Sequence, residues 1–322
     1  MASLIRYIIR RILFMIPVFL GVAILTFVVG NAAGNPINLI RAGLRNPNPA
    51  VLRALTVYYH LDQPVWMRFL YWLWELLQGN LGVSISGRPV ASQIGPWTFT
   101  TLELQILSLI LAVVIGIPVG VYSSKHQYSK RDYAITTTAI FGYSMPTFWL
   151  GIMLIVIFSL DLGWLPSNGA VSVSSPWWGN SFLDQIAHLI LPTAVLTYVT
   201  LATIVRLVRA NMLEVMRQDY ILAARASGLS ERTVTYRYAL RNAISPVVTI
   251  IGLGFGASLA GAPALETTFS WPGLGYAFTQ AALTLDIPLV QGITIVITVM
   301  VLIANLITDM VYAMVDPRVT IE

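Results

Sequence analysis

The sequence contains no cysteine. That absence removes disulfides, thiol nucleophiles, cysteine-ligated zinc and iron–sulfur clusters together. Charge is scarce as well: Asp, Glu, Lys and Arg make up 10% of the 322 residues, against about 25% in an average soluble domain. Lysine is nearly missing, because 17 of the 19 basic residues are arginine. No G-x-x-x-x-G-K-[S/T] segment occurs, so the chain encodes no P-loop for ATP. His60, His126 and His188 are scattered without metal-ligand spacing and read as structural or solvated. No metal or cofactor is expected in the chain itself.

What fills the sequence is apolar surface. Hydrophobic residues account for 57% of it, with a mean hydropathy of +0.75. A soluble enzyme has no way to cover that much apolar surface, and a disordered chain shows the opposite balance. The length would allow two soluble domains, but long apolar blocks leave room only for a single transmembrane domain over 1–322. The net charge of +5 would suggest nucleic acid in a soluble protein; here its distribution between apolar blocks matters more, and no nucleic-acid partner is expected.

A crossing helix needs roughly 20 apolar residues. Six uncharged runs qualify or nearly so: 12–30, 104–123, 134–160, 189–205, 243–265 and 287–308. The fourth is the shortest, and Arg206 at its end can snorkel to extend it. Barrel strands would alternate over about 10 residues, a pattern that does not occur. The sequence therefore predicts an all-α polytopic membrane protein of six helices.

Arg6, Arg10 and Arg11 precede the first run, and Asn31–Ala32–Ala33–Gly34 resembles a small-residue cleavage site. Signal-peptide cores span about 7–15 residues, whereas this run has 19. It is read as a retained first helix with a basic anchor. Fourteen basic residues fall on the side of the N-terminus, and five on the other, all five between the first two spans. The positive-inside rule then puts both termini in the cytoplasm.

Two connections carry more than turns. In the external region 31–97, Trp66, Phe69, Leu70, Leu73, Trp74 and Leu77 follow helical spacing opposite Arg68, Glu75 and Gln78. Asp62 suits its cap and Pro64 its first turn. Amphipathicity alone fits both an interfacial helix and a small cap over a translocation path. In the cytoplasmic region 206–242, Asp219 reads as an N-cap, 220–227 as a short helix and Gly228 as its stop; Ser230 caps a second helix running toward Asn242. Ala223, Ala224, Ala226 and Gly228 leave the short helix nearly bare, a shape suited to a partner's groove. By composition alone, an ordinary solvated helix–turn–helix loop is the favoured reading.

The segment "DYILAARASGLSERTVTYRYALRNAISPVVT" resembles the coupling-helix motif of ABC importer permeases, in the form carried by the dipeptide/oligopeptide permease family. "LDQPVWMRFLYWL", "GNLGVSISGRPV", "SMPTFWLG", "ETTFSWPGLG" and a final "DPR" match in order along nearly the whole chain. Leu222 stands where the general motif has Glu, and Tyr238 where the family often has His. The resemblance implies a type I permease of an ABC importer for di- or oligopeptides, working with a second permease, two cytoplasmic ATPases holding ATP and Mg, and an external solute-binding protein. It carries ATPase docking onto Ala223, Ala224, Arg225, Ala226, Ser227, Gly228 and Leu229. Oligosaccharides and nickel chelates remain alternative cargoes within the family.

Other classes find less support. Glu103, Asp161, Glu266, Asp286 and Asp309 all lie at or near span ends, so an ion-coupled secondary transporter lacks a midplane acid and inverted repeats. A channel would need a filter or charge ring. An intramembrane enzyme lacks a credible Ser/His, paired-Asp or His-x-x-x-His set. Gly252, Gly254 and Gly256 sit in an apolar run with no preceding strand; Gly252 and Gly256, continued by Ala257 and Gly261, read as close helix packing. Pro146 lies inside the third span and is expected to kink or locally open it, placing Tyr143, Ser144, Thr147, Phe148 and Trp149 as candidates to line the path, with helix–helix bonding and interfacial anchoring as the alternative. Pro263 and "ETTFSWPGLG" suggest a bend facing the partner permease or the path.

Overall fold

A computed structural model describes residues 2–33, 53, 56–57 and 60–315. Much of the expected external region before residue 60, and the terminal "DPR" with Arg318, lie outside the described residues. Helix α1 (Ala2–Ala33) is followed by the amphipathic α2 (Val65–Leu77), then α3 (Val90–Lys125), α4 (Lys130–Ser144) and α5 (Thr147–Asp161). Next come α6 (Ser181–Val215), the short α7 (Asp219–Ala226), α8 (Glu231–Ser258), the brief α9 (Pro263–Thr268) and α10 (Leu274–Leu283), and finally α11 (Ile287–Val315). Five of these are long and apolar enough to cross a membrane, and the α4–α5 pair makes a sixth if taken as one span. The all-helical, six-span expectation holds in that form.

The centre of the bundle is α3 beside α6, running in the same direction. A Cβ on Gly116 would lie 2.8 Å from Ile204, and one on Gly120 2.7 Å from Val208, so backbone approaches side chain as in other small-residue helix contacts. Helix α4 returns along α6, where Gly142 rests on Tyr198 and Ala202. Helix α1 lies along α11, tied by Arg11 Nη1 to Asp309 at 2.9 Å. The start of α1 and the end of α11 thus lie on the same face, which by the alternation of spans also carries α7. Helix α2 and the connections 162–180 and 259–286 lie on the opposite face.

Three boundaries differ from the sequence expectation. The fourth apolar run sits inside a helix of 35 residues, because its polar residues Asp184, His188 and Arg209 each find a partner and need not end it. Arg206 does not snorkel at a helix end; it lies 4.8 Å over the Tyr143 ring. The fifth run stops at Ser258, and Gly261 turns left-handed with φ +85°. Gly261 therefore does not extend the glycine face. Gly252 and Gly256 do pack, against Thr308 and Asn305 of α11, while Gly254 meets nothing within 4 Å. Above them, α10 takes over the packing on α11 through Leu274, Ala277 and Ala281 with Leu289 and Ile293.

Caps shift by small amounts. The N-cap position of α2 is Pro64, without a side-chain bond, while Asp62 accepts instead from Gln63 Nε2. Pro64 leaves its φ preset and Asp62 too far back to reach the first turn.

Candidate functional site: a seated helix, an ion pair and a broken span

Helix α7 begins one residue earlier than a cap at Asp219 requires: Gln218 holds the cap position and Asp219 stands in the first turn. There its charge still complements the helix dipole. Gly228, at φ +77°, ends the helix as expected, and Ser230 Oγ accepts from Thr233 N at 3.3 Å to start α8. Ile221 and Ala224 point inward, into a core with Val121, Val208, Met212 and Val234. Ala224 is thus part of the chain's own core rather than of an outer surface. Ala223, Arg225, Ala226, Ser227, Gly228 and Leu229 are exposed. Arg225 is held by Glu231 at 2.8 Å, which fixes the turn between α7 and α8.

The same core rests on α6, and α6 grips α4 along its length. Arg209 Nε donates to Asp132 Oδ1 and Nη2 to Oδ2, both at 2.7 Å. Ser123 Oγ and Tyr128 N also donate to that carboxylate, so a buried charge meets a planar guanidinium and two further donors. Farther along, Tyr198 Oη donates to Thr138 O at 2.8 Å. The sequence alone does not reveal this set, since 77 residues separate Asp132 from Arg209.

Where α4 leaves α6, the chain bends by 106° between Ser144 and Thr147. Pro146 is the cause: it donates no N–H, and the residue before it is driven extended, with Met145 at ψ 133°. Tyr143 and Ser144 end one arm; Thr147, Phe148 and Trp149 begin the other. Tyr143, under Arg206, lines a cavity of about 180 Å³ between α4 and α6. The other four do not line it, and Ser144, Phe148 and Trp149 are exposed on the bend.

Buried polar pins organise the opposite face. Asp184 accepts from Ser172 N and Oγ, both at 2.7 Å, and from Trp177 N at 2.6 Å. His188 joins them, with Nε2 3.2 Å from Ser172 Oγ and Nδ1 3.1 Å from Gly169 O. This brings Ser172 onto Asp184 and His188, an i, i+4 pair on α6. A hydrolytic relay needs the acid on the ring nitrogen opposite the serine, but Asp184 and Ser172 share the Nε2 side, so the cluster is a clasp for the 162–180 connection. Asp286 caps α11 through Leu289 N and also accepts from Ser84 Oγ and Ile85 N, docking the "GNLGVSISGRPV" turn.

The "ETTFSWPGLG" segment folds inward. Fully buried Glu266 accepts from Tyr276 N at 2.8 Å and Ala262 N at 3.3 Å, and Thr101 Oγ1 donates to it at 3.4 Å. Trp271 is fully buried as well, its Nε1 donating to Thr100 O. A Cβ at Gly273 would lie 2.6 Å from both Glu266 Oε2 and Thr101 Oγ1. The segment's buried residues face this chain's α3, and Gly273 and Gly275 lie against Glu266.

A bundle of apolar helices long enough to cross a bilayer defines a multi-span membrane protein. The chain belongs to the family described as binding-protein-dependent transport system inner membrane component, matched over residues 116–321. It is 41% identical over 320 residues to the oligopeptide transport system permease protein AppB of Bacillus subtilis (strain 168), covering 97% of this chain and 98% of that one. It is 40% identical over 336 residues to the dipeptide transport system permease protein DppB of Escherichia coli (strain K12), covering 98% and 99%. A solved chain of the MetNI methionine ABC transporter in inward-facing conformations shares the fold, with TM-score 0.53 over 70% of this chain and 96% of that one, at 18% identity. As its relatives are inner-membrane permeases, the chain is a multi-pass membrane component.

Proposed function

We propose that this chain is the permease subunit of an ATP-driven importer of di- and oligopeptides, with both termini and α7 in the cytoplasm. The observation that carries the reading is α7 itself. Its outer face is small and open, while Ile221 and Ala224 root it in the core of α6 and α8, on a chain 41% identical to an oligopeptide permease. ATP and Mg are held by two partner ATPases whose grooves receive Ala223 and the 225–229 turn. Their closure moves α7, and α6 transmits that movement to α4 and the bend at Pro146. A second, homologous permease completes the path and an external binding protein delivers the peptide. Tyr143, Ser144, Thr147, Phe148 and Trp149 line the path once that partner is present.

Peptide is preferred over oligosaccharide or nickel chelate because the relatives are named as oligopeptide and dipeptide permeases. An ion-coupled transporter has no comparable support. The test is ATPase stimulation of the reconstituted complex by peptide and oligosaccharide panels in the presence of the binding protein. Peptides are expected to stimulate and sugars not to; stimulation by sugars alone keeps the mechanism and replaces the cargo. Uptake driven by a pH gradient without the ATPases would overturn the mechanism.

A further inference from the structure

One cavity, of about 430 Å³, belongs neither to α7 nor to the broken span. It lies on the face opposite α7, between the end of α1, helix α2 and the first turns of α11. Arg68, Tyr71, Trp72 and Glu75 line it from i, i+3, i+4 and i+7 of α2, which is one side of the helix. The other side, with Trp66, Leu70, Trp74 and Leu77, is exposed. What reads in sequence as the solvent face of an amphipathic helix is therefore the wall of a chamber, and it is of the size that holds small molecules.

The chamber is charged at two ends and aromatic between them. Arg68 Nε is buried and has no hydrogen-bond partner among the described residues. Burial also lowers the pKa of its guanidinium. A cationic donor left without an acceptor away from water is costly and is relieved by an anion. Two turns on, Glu75 Oε2 accepts from Asn80 Nδ2 at 2.6 Å, and its other oxygen has no partner among the described residues. Seven residues of helix separate the two charges by about 10 Å of rise. In between, Tyr71 stacks on His60 at 4.4 Å and Trp72 sits 5.7 Å from Phe27.

A ligand for this arrangement carries an anion at one end, an ammonium at the other and apolar groups in the middle. A short free peptide does so: its adjacent Cα atoms are about 3.8 Å apart, so its charged termini lie within reach of two long side chains about 10 Å apart. We propose that the chamber is an outer subsite for a free di- or tripeptide, with Arg68 taking the C-terminal carboxylate and Glu75 the N-terminal ammonium. The proposal rests on the peptide reading above and names residues that hold the cargo on the side where it arrives.

The test uses the complete complex without binding protein, in nanodiscs lacking ethanolamine lipids, with radiolabelled alanyl-phenylalanine as the probe. The free dipeptide is expected to bind, and amidating its carboxyl or acetylating its amine to weaken binding about tenfold or more, the worth of one charge-assisted bond. In Arg68→Ala the amidation penalty disappears while the acetylation penalty stays; in Glu75→Gln the reverse holds. Arg68→Lys keeps part of the amidation penalty, which separates lost charge from misfolding. Penalties unchanged in both variants overturn the proposal, as does displacement of the dipeptide by added phosphatidylethanolamine, which would assign the chamber to a lipid headgroup. A complex that imports dipeptide with its binding protein but binds none without it overturns the chamber alone. A complex that imports no peptide overturns the peptide reading and the chamber with it.

Discussion

Arg209 of α6 closes on Asp132 of α4 through two parallel bonds of 2.7 Å, with the carboxylate buried and further held by Ser123 and Tyr128. Three residues beyond Arg209, Met212 enters the core that seats α7. Twelve residues along α4 from Asp132 the helix ends at Ser144, next to the bend. A single ion pair thus sits between the core that seats α7 and the broken span.

Asp132→Ala strands the guanidinium of Arg209 inside the bundle. Loss of one partner of a buried pair costs about 3–5 kcal/mol, so the purified permease complex is expected to melt at a markedly lower temperature. Asp132→Glu, which keeps the charge, recovers part of the loss. A melting temperature unchanged in Asp132→Ala would show that the pair does not hold α4 to α6.

Two glycines of α8, Gly252 and Gly254, separate cleanly. Gly252→Ala would overlap Thr308 and is expected to cost about 1–3 kcal/mol through overpacking. Gly254→Ala meets open space and gains up to about 1 kcal/mol of helix propensity. Thermal inactivation of the two variants, measured side by side, checks the ordering.

The docking reading divides Ala223 from Ala224. Ala223→Trp adds bulk to an exposed surface, so the permease keeps its melting temperature but no longer retains the ATPases on purification. Ala224→Trp forces a large ring into a position only 7% exposed in the chain's own core and lowers the stability of the permease itself. Equal ATPase retention in Ala223→Trp and the parent would remove α7 from the interface.

Gly273→Ala places a methyl group against Glu266 and Thr101. Reduced accumulation of folded permease in the membrane is expected, with the KM for peptide unchanged in whatever complex assembles. A changed KM at normal accumulation would return this segment to the path.

Asp184→Ala releases three donors from Ser172 and Trp177 at once. The 162–180 connection is then expected to be cut by added protease several times faster than in the parent, while the span helices stay protected. Unaltered cleavage would mean that other contacts hold the connection.

The one-dimensional pattern of this chain was sufficient for its class. Long apolar runs leave only helices as membrane-spanning structure, because in lipid every backbone polar group must bond within its own segment. Pro146 announced the break in the third span, since a missing N–H and a steric clash act within a few residues. Gly228 and Ser230 announced the end of α7 and the start of α8 for the same local reason. Family membership was legible too, in motifs strung along nearly the whole length.

Tertiary structure decided everything that depends on residues meeting from afar. Charged residues within α6 gave no hint that the helix runs well past both ends of its apolar run, because Asp184 and Arg209 are tolerated only through Ser172, Trp177 and Asp132. Periodicity marked Arg68 and Glu75 as the polar side of α2, but only the packing of α1 and α11 turned that side into a chamber. Helical spacing states which residues share a face; what that face meets is set by long-range contacts, and these are formed only when the chain is folded.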